Sequence, residues 1–245
     1  MLLDTLKDIV KHTHSLGFIE MVKVIGTATD LKIETKDADN TVIIYGSMYQ
    51  PEPGIESTIG LSRLAILKGY IGMHETSAVT IVSETRNNLS VPTEILFDDG
   101  NDSVANYRFV SEAMIMEQVK VPAFKGANWD VSFVPSKVAI TRLSENYGIL
   151  GGFEKRFIVS VDAKGTVKFN IGSGPTDRVT VPFATGVTGA LKHQWTYPLS
   201  QVLSILKLTD TASTSTMNFS DSGALKIDID SGIGKYTYII PAGKS

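Results

Sequence analysis

The order of elements in this chain repeats. Both halves read as a helix, several strands, a second helix and then three strands. The second helices of the two halves share a local likeness, Leu61-Ser62-Arg63-Leu64-Ala65-Ile66-Leu67-Lys68 against Leu199-Ser200-Gln201-Val202-Leu203-Ser204-Ile205-Leu206-Lys207. Self-similarity at this scale marks a duplicated unit, which restricts the 245 residues to two copies of one arrangement. The expected division is 1–113, a connector at 114–128, and 129–245. The connector loses alternation and contains Pro122 and Gly126.

The strands are read from β-branched and aromatic runs between turn residues. They are expected at 18–25, 31–35, 41–49, 78–85, 93–97 and 104–111, then at 129–134, 156–162, 166–171, 178–183, 191–197, 214–219, 225–230 and 235–240. Asp98-Asp99-Gly100-Asn101, Ala163-Lys164-Gly165 and Asp221-Ser222-Gly223 have tight-turn chemistry. Helical spacing appears at 2–16, 61–72, 136–150 and 199–208, with Gly17 as a stop and Pro135-Ser136 as a start signal. Short helices among antiparallel hairpins give an α+β class.

Composition narrows the chemistry. Apolar residues at 42% and charged residues at 20% supply a sizeable core and exclude disorder as the main state. The absence of cysteine removes disulfides, thiolate metal sites and a cysteine nucleophile. No run approaches the roughly 18 apolar residues of a membrane helix. Asp4, Lys7, Asp8 and Lys11 interrupt the N-terminal apolar pattern, so it is not read as a signal peptide. A soluble, intracellular protein is expected.

No catalytic constellation stands out. His12 and His14 are two apart on a helix and face different ways, and His74-Glu75 lacks a second histidine four residues on. Solvated or backbone-bonded histidines are the simpler expectation, and no metal is predicted. Gly232-Ile233-Gly234-Lys235-Tyr236 lacks the Ser/Thr and following helix of a phosphate loop, and reads as a hairpin turn. Gly172-Ser173-Gly174 is no dinucleotide fingerprint. The acidic turn 98–102 does not have the spacing of a calcium loop. No cofactor is predicted.

The net charge of −3 conceals a segregation. The four helical segments carry Lys7, Lys11, Arg63, Lys68, Lys137, Arg142 and Lys207 against only Asp4, Asp8 and Glu145, a balance of +4, and the remainder carries −7. Lys7, Lys11 and His14 fall at i, i+4 and i+7 on one stripe. Ordinary amphipathic helices with solvated faces would account for each helix singly. A basic surface shared by all the helices of a duplicated fold is the sharper reading, and it fits a polyanion.

Several stretches together resemble the DNA sliding clamps of the proliferating-cell-nuclear-antigen type, including their T-even-phage relatives. Ile59–Lys68 resembles the second helix of the first clamp domain, and Val104–Phe109 that domain's last strand. Val134-Pro135-Ser136 and the helix through Arg142-Leu143-Ser144 are similar to the start of the second domain. Tyr197–Lys207, the hairpin to Asp230 and Gly234–Pro241 resemble the closing helix, hairpin and strand. The likeness spans nearly the whole chain and rests on the order of the motifs. Two features depart from the family's pattern: almost nothing precedes the first helix where a strand is usual, and Lys120 and Lys125 make the connector less acidic.

The resemblance implies duplicated clamp domains with sheets outside and two helices per domain lining a ring, most simply a homotrimer. Double-stranded DNA would pass through, facing Lys7, Lys11, His14, Arg63, Lys68, Lys137, Arg142 and Lys207. Three copies of the helix balance would place about +12 on the lining, against about 12 phosphates over 20 Å of duplex. Subunits would join through Tyr107, Arg108, Phe109 and Val110 of one copy and Arg178, Val179, Thr180 and Val181 of the next. Partner tails would dock against Val119, Val121, Pro122, Phe124, Ile240 and Pro241, which could equally serve interdomain packing. The implied partners are a DNA polymerase, held as by a processivity factor, and a clamp loader. The implied protein is not an enzyme, and a phage or prokaryotic cytoplasm is its expected setting. A β-rich trimeric structural or virion protein, and an enzyme with an unrecognised carboxylate site, are the alternatives.

Overall fold

The computed structural model describes residues 2–74, 78–86, 88–101, 103–172 and 177–243. The chain forms two compact units, Met1–Pro122 with Ile233–Tyr236, and Ala123–Gly232 with Thr237–Ser245. The break falls inside the stretch expected to be a connector, and the first unit recruits four residues from near the chain's end.

The first unit opens with α1 (Leu2–His12), continues through β1 (Val22–Gly26), β2 (Leu31–Lys36), β3 (Ile43–Met48) and β4 (Thr58–Leu61), and then forms α2 (Leu64–Met73). A hairpin and a third strand follow, β5 (Ala78–Arg86), β6 (Leu89–Asp98) and β7 (Val104–Arg108), and then α3 (Glu112–Gln118). These strands pair antiparallel in the orders β4-β1-β2-β3, with β3 bonded further to a strand from late in the chain, and β5-β6-β7. In β2, Leu31, Ile33 and Thr35 are buried while Lys32 is exposed, the period-two pattern of a half-buried strand. On the covered faces α1 contributes Leu2, Leu6, Ile9 and Val10, and α2 contributes Leu64, Leu67 and Ile71. Each fully buried aliphatic chain stabilises by about 1.5–3 kcal/mol.

The second unit repeats this plan. After β8 (Val131–Phe133) come α4 (Lys137–Leu150), β9 (Arg156–Val161), β10 (Val167–Ile171), β11 (Val179–Ala184), β12 (Thr196–Pro198) and α5 (Leu199–Lys207). It closes with β13 (Thr214–Ser220), β14 (Ala224–Asp230) and β15 (Gly234–Pro241), the first residues of β15 belonging to the first unit. The sheet order β11-β10-β9-β12 reproduces β3-β2-β1-β4, and β13 and β14 reproduce β5 and β6. The core is aromatic: Phe157, Phe169, Phe183, Tyr197 and Phe219 pack together, with Phe169 and Phe183 stacked at 4.1 Å. The duplication extends to fine detail. Val110 bridges β4 at Gly60, and Gly243 bridges β12 at Thr196.

Several expectations need correction. The first helix ends at His12, where the Thr13 hydroxyl bonds back to the Ile9 carbonyl, and a short 3-10 turn leads to Gly17 at φ +88. The second begins at Leu64 rather than 61, because Thr58–Leu61 is strand β4. The connector contains α3, which packs Ile115 on β4. Of 191–197 only the end is strand. The third helix starts as expected, with the Ser136 hydroxyl accepting from the Ala139 N–H.

The histidines also differ from expectation. His12 is buried and stacked on Tyr236, His74 is buried, and only His14 and His193 reach solvent. Glu75, Asp102, Ser173 and Gly174, named in the motif search, lie outside the described residues. Asp98 and Asp99 accept backbone N–H bonds from Gly100, Asn101 and Ser103, so they cap their own turn. Among the described residues no group of three or more acidic, histidine or cysteine side chains could hold a metal, and no helix is long and apolar enough to cross a membrane.

Candidate nucleic-acid interface

In each unit two helices lie side by side, α1 with α2 and α4 with α5. Their outward faces hold the cations. On α1 burial takes most of the circumference and leaves a narrow stripe of Asp4, Lys7, Lys11 and, in the following turn, His14. The three cationic positions are half-buried, so their stems lie on apolar surface while their polar ends reach water. Asp8 does not oppose them. It is buried, and its Oδ2 accepts a hydrogen bond from the Tyr236 hydroxyl at 2.9 Å.

Lys68 is exposed on α2 between Ala65, Gly69 and Gly72, where no side chain stands tall beside it. Arg63 is exposed at the helix's start, with a left-handed backbone at φ 49. The carbonyl just before it, of Ser62, is held by the buried Tyr107 hydroxyl. Burial pushes the Tyr107 phenol up to about 12, against the opposing pull of that hydrogen bond and of Arg63.

In the second unit Lys137, Arg142 and Lys207 are exposed. Lys137 lies 3.3 Å from Asp210, just beyond α5, so one of the three cations is already partly neutralised. Glu145 is the acid on the outward face of α4. The accessible face of α5 carries Ser200, Gln201 and Ser204 ahead of Lys207. These hydroxyl and amide groups can bond phosphate oxygens without reading bases. Their 3–4 spacing with Lys207 was visible in the sequence, but a search for charge alone passed over them, and Asp210 was missed because it lies beyond the expected helix 199–208.

The same helices expose apolar side chains: Ile66 and Met73 on α2, Val138 and Ile149 on α4, and Phe153 beyond it. A cleft of about 510 Å³ lies between α4 and β11, lined by Phe133, Val138, Arg142, Pro182 and Phe183 among others.

The residues expected to join subunits lie on outermost strands or directly beside them, with Phe109 and Val110 just after β7 and Arg178 just before β11. β7 ends the order β5-β6-β7, and β11 ends the order β11-β10-β9-β12. Arg108, Arg178 and Thr180 are exposed and Phe109, Val110 and Val179 half-buried, whereas Tyr107 and Val181 are buried in their own units. Val110 is partly used already, exchanging backbone bonds with Gly60.

The six residues expected to take partner tails do not share one exposure. Val119 and Ile240 are buried, Val121 is half-buried, and Pro122, Phe124 and Pro241 are exposed. Phe124 stacks on Trp129 at 6.0 Å, and the Lys226 ammonium sits 5.2 Å over the Trp129 ring.

Comparison with solved structures identifies the fold. The chain is similar to A. fulgidus PCNA, solved with the C-terminal region of FEN-1 bound, at a TM-score of 0.72 and 11% identity, covering 99% of this chain and 96% of that one. It is likewise similar to the proliferating cellular nuclear antigen from Entamoeba histolytica, at a TM-score of 0.70 and 8% identity, covering 100% and 95%. No protein-family model matches the sequence, and no curated protein matches it either. The chain has the fold of a DNA sliding clamp over its whole length.

Proposed function

We propose that this chain, built on the clamp fold, assembles head to tail into a ring of three copies that encircles duplex DNA and tethers a DNA polymerase to its template. The observation that carries the reading is the placement of Lys7, Lys11, Arg63, Lys68, Arg142 and Lys207 on the accessible faces of the paired helices. A helix of 14 residues such as α4 spans about 21 Å, a length over which duplex DNA presents about 12 phosphates. Lysine contacts phosphates as a point charge on a mobile stem and imposes no base register, which suits translocation.

Ring closure follows from pairing β7 of one copy with β11 of the next, a heterologous contact that closes when the rotation per copy is a third of a turn. It would remove two open strand edges. The neighbouring copy would also cover the exposed apolar residues of α2 and α4. The function is topological, with no catalytic step. Processivity comes from the high effective concentration that a tether confers. Phe124, exposed beside Trp129, is the apolar point on which a partner's tail is expected to rest. A separate loader would open the ring, in a prokaryotic or phage-infected cytoplasm.

The test is negative-stain electron microscopy of the purified protein. A flat six-lobed ring with a hole wider than the roughly 20 Å of a DNA duplex is expected. A solid trimer without a hole would overturn the reading in favour of a β-rich structural protein.

A further inference from the structure

The two halves of the duplication differ by one strand. In the second unit β13 has a neighbour on each side. β14 lies on one, and β8 lies on the other with Phe133 opposite Met217, Ser132 opposite Asn218 and Val131 opposite Phe219. In the first unit the corresponding strand is β5, and among the described residues it is laddered to β6 alone. Its outer N–H and C=O groups face the place that β8 fills in the repeat.

Apart from β7 and β11, which the proposed ring would pair, the other outer strands of the fold are blunted. β4 has four residues and is bridged by Val110, while β12 has three, ends in Pro198 and is bridged by Gly243. β8 has three residues. Short length, proline and covering segments are the devices that keep a sheet edge from recruiting another chain. β5 is neither short nor interrupted by proline, and the contact it takes from Gly54 is with the Ile81 side chain. It runs for nine residues without proline or lysine, and its first six, Ala78-Val79-Thr80-Ile81-Val82-Ser83, are uncharged. Exposure alternates over the first four, with Val79 and Ile81 half-buried and Ala78 and Thr80 exposed. The ladder to β6 is regular up to a shift between Val82 and Ser83, so the straight template is Ala78–Val82.

We propose that the outer edge of β5 is a docking site for an extended segment of a partner protein, which adds as a strand in the position β8 occupies in the second unit. The repeat supplies the chemistry of the occupant. β8 presents Val131 and Phe133 to one face and Ser132 to solvent, so the segment is an uncharged apolar–polar–apolar stretch. Main-chain bonds would supply affinity and the two apolar side chains selectivity, as in other strand-addition complexes. A second copy of this chain is the weaker occupant. A short ladder suffices to hold a flexible tail, whereas a stable dimer of folded chains needs roughly 1,600 Å² of buried surface. The inference depends neither on ring closure nor on DNA.

The experiment uses the full chain and a synthetic probe of the β8 sequence, residues 129–134 with Asp130→Asn so that it is uncharged, with amide hydrogen exchange read by mass spectrometry. Saturating probe is expected to slow exchange over Ala78–Val82 by about tenfold or more. The same peptide N-methylated at alternate residues, which keeps the side chains and loses the ladder, is expected to give no slowing. Thr80→Lys, at an exposed position, is expected to weaken the effect without unfolding the protein. Four results would each overturn the proposal: no slowing, equal slowing by the N-methylated peptide, protection confined to β13, or concentration-dependent protection of β5 in the free protein. The last would assign the edge to a second copy. Rings without β5 protection would leave the clamp reading standing and this inference fallen, and protection without rings would do the reverse.

Discussion

The imidazole of His12 lies flat on the phenol ring of Tyr236, with centroids 4.1 Å apart and planes 6° from parallel. Tyr236 donates its hydroxyl to Asp8 one helical turn earlier, and His12 Nε2 lies 3.7 Å from the same carboxylate. Burial holds the imidazole neutral and lowers its pKa to about 3, with Lys11 adding to the effect, despite the nearby acid.

Acid should therefore destabilise this protein through His12. The folded-state pKa is depressed below the ordinary 6.5, so the unfolded chain binds a proton that the folded chain refuses. The contribution is complete above pH 6.5 and declines as pH falls towards 3, with a slope of up to about 1.4 kcal/mol per pH unit. Urea midpoints measured across that window should flatten in His12→Phe, which keeps a stackable ring and removes the titration. An unchanged slope would place the acid sensitivity elsewhere.

Gly60 should tolerate no side chain. A Cβ there would lie 2.8 Å from Ile115 and from the Val110 Cβ, where α3 and the bridging residue close over β4. Overpacking of this kind costs about 1–3 kcal/mol, so Gly60→Val should lower the denaturation midpoint. Gly69, with open space around its Cβ position, is the control: Gly69→Ala should cost little or even stabilise α2.

Under the proposed function, the cations should not contribute equally to DNA binding. Arg142→Ala should reduce the salt dependence by about one phosphate's worth. Lys137→Ala should have a smaller effect, because Asp210 already sits 3.3 Å from its ammonium. Asp210→Asn should then strengthen binding. Fluorescence anisotropy on a duplex at several salt concentrations measures all three. Equal effects for Lys137 and Arg142 would contradict the ordering.

Alkali should also act through a buried group. With its pKa raised to about 12, Tyr107 stays protonated in the fold while the unfolded phenol ionises near 10. Stability is thus full below pH 10 and lost as pH rises towards 12. Tyr107→Phe should remove that part of the alkaline slope and cost about 1–2 kcal/mol at neutral pH by stranding the Ser62 carbonyl. Tyr197, also raised by burial, should account for what slope remains.

Much of the fold was legible because its strands are short and separated by turn residues. β4 was missed because Ile59-Gly60-Leu61 is an apolar run leading straight into Leu64 and Leu67, and such a run fits either period. α3 was missed because Ile115 is its single buried residue, so no apolar stripe marks it. Of the strand expected at 191–197, the residues ahead of Thr196 are fastened instead by Asp221, which accepts the Lys192 and His193 N–H groups. In the helix pairs the lysine stripe of α1 followed from local spacing alone. The fate of Asp8 could not, because its partner lies 228 residues away in sequence.

That separation has a consequence during synthesis. The first unit is completed by Ile233–Tyr236, which are made more than a hundred residues after the rest of it. Until they emerge, the nascent N-terminal half has His12 and Asp8 without the ring and the hydroxyl that cover them. Long-range contacts of this kind are slow to form. Vectorial folding, in which the first-made unit finishes before the second begins, is closed to this chain. The first half reaches its final state only once Ile233–Tyr236 have been made.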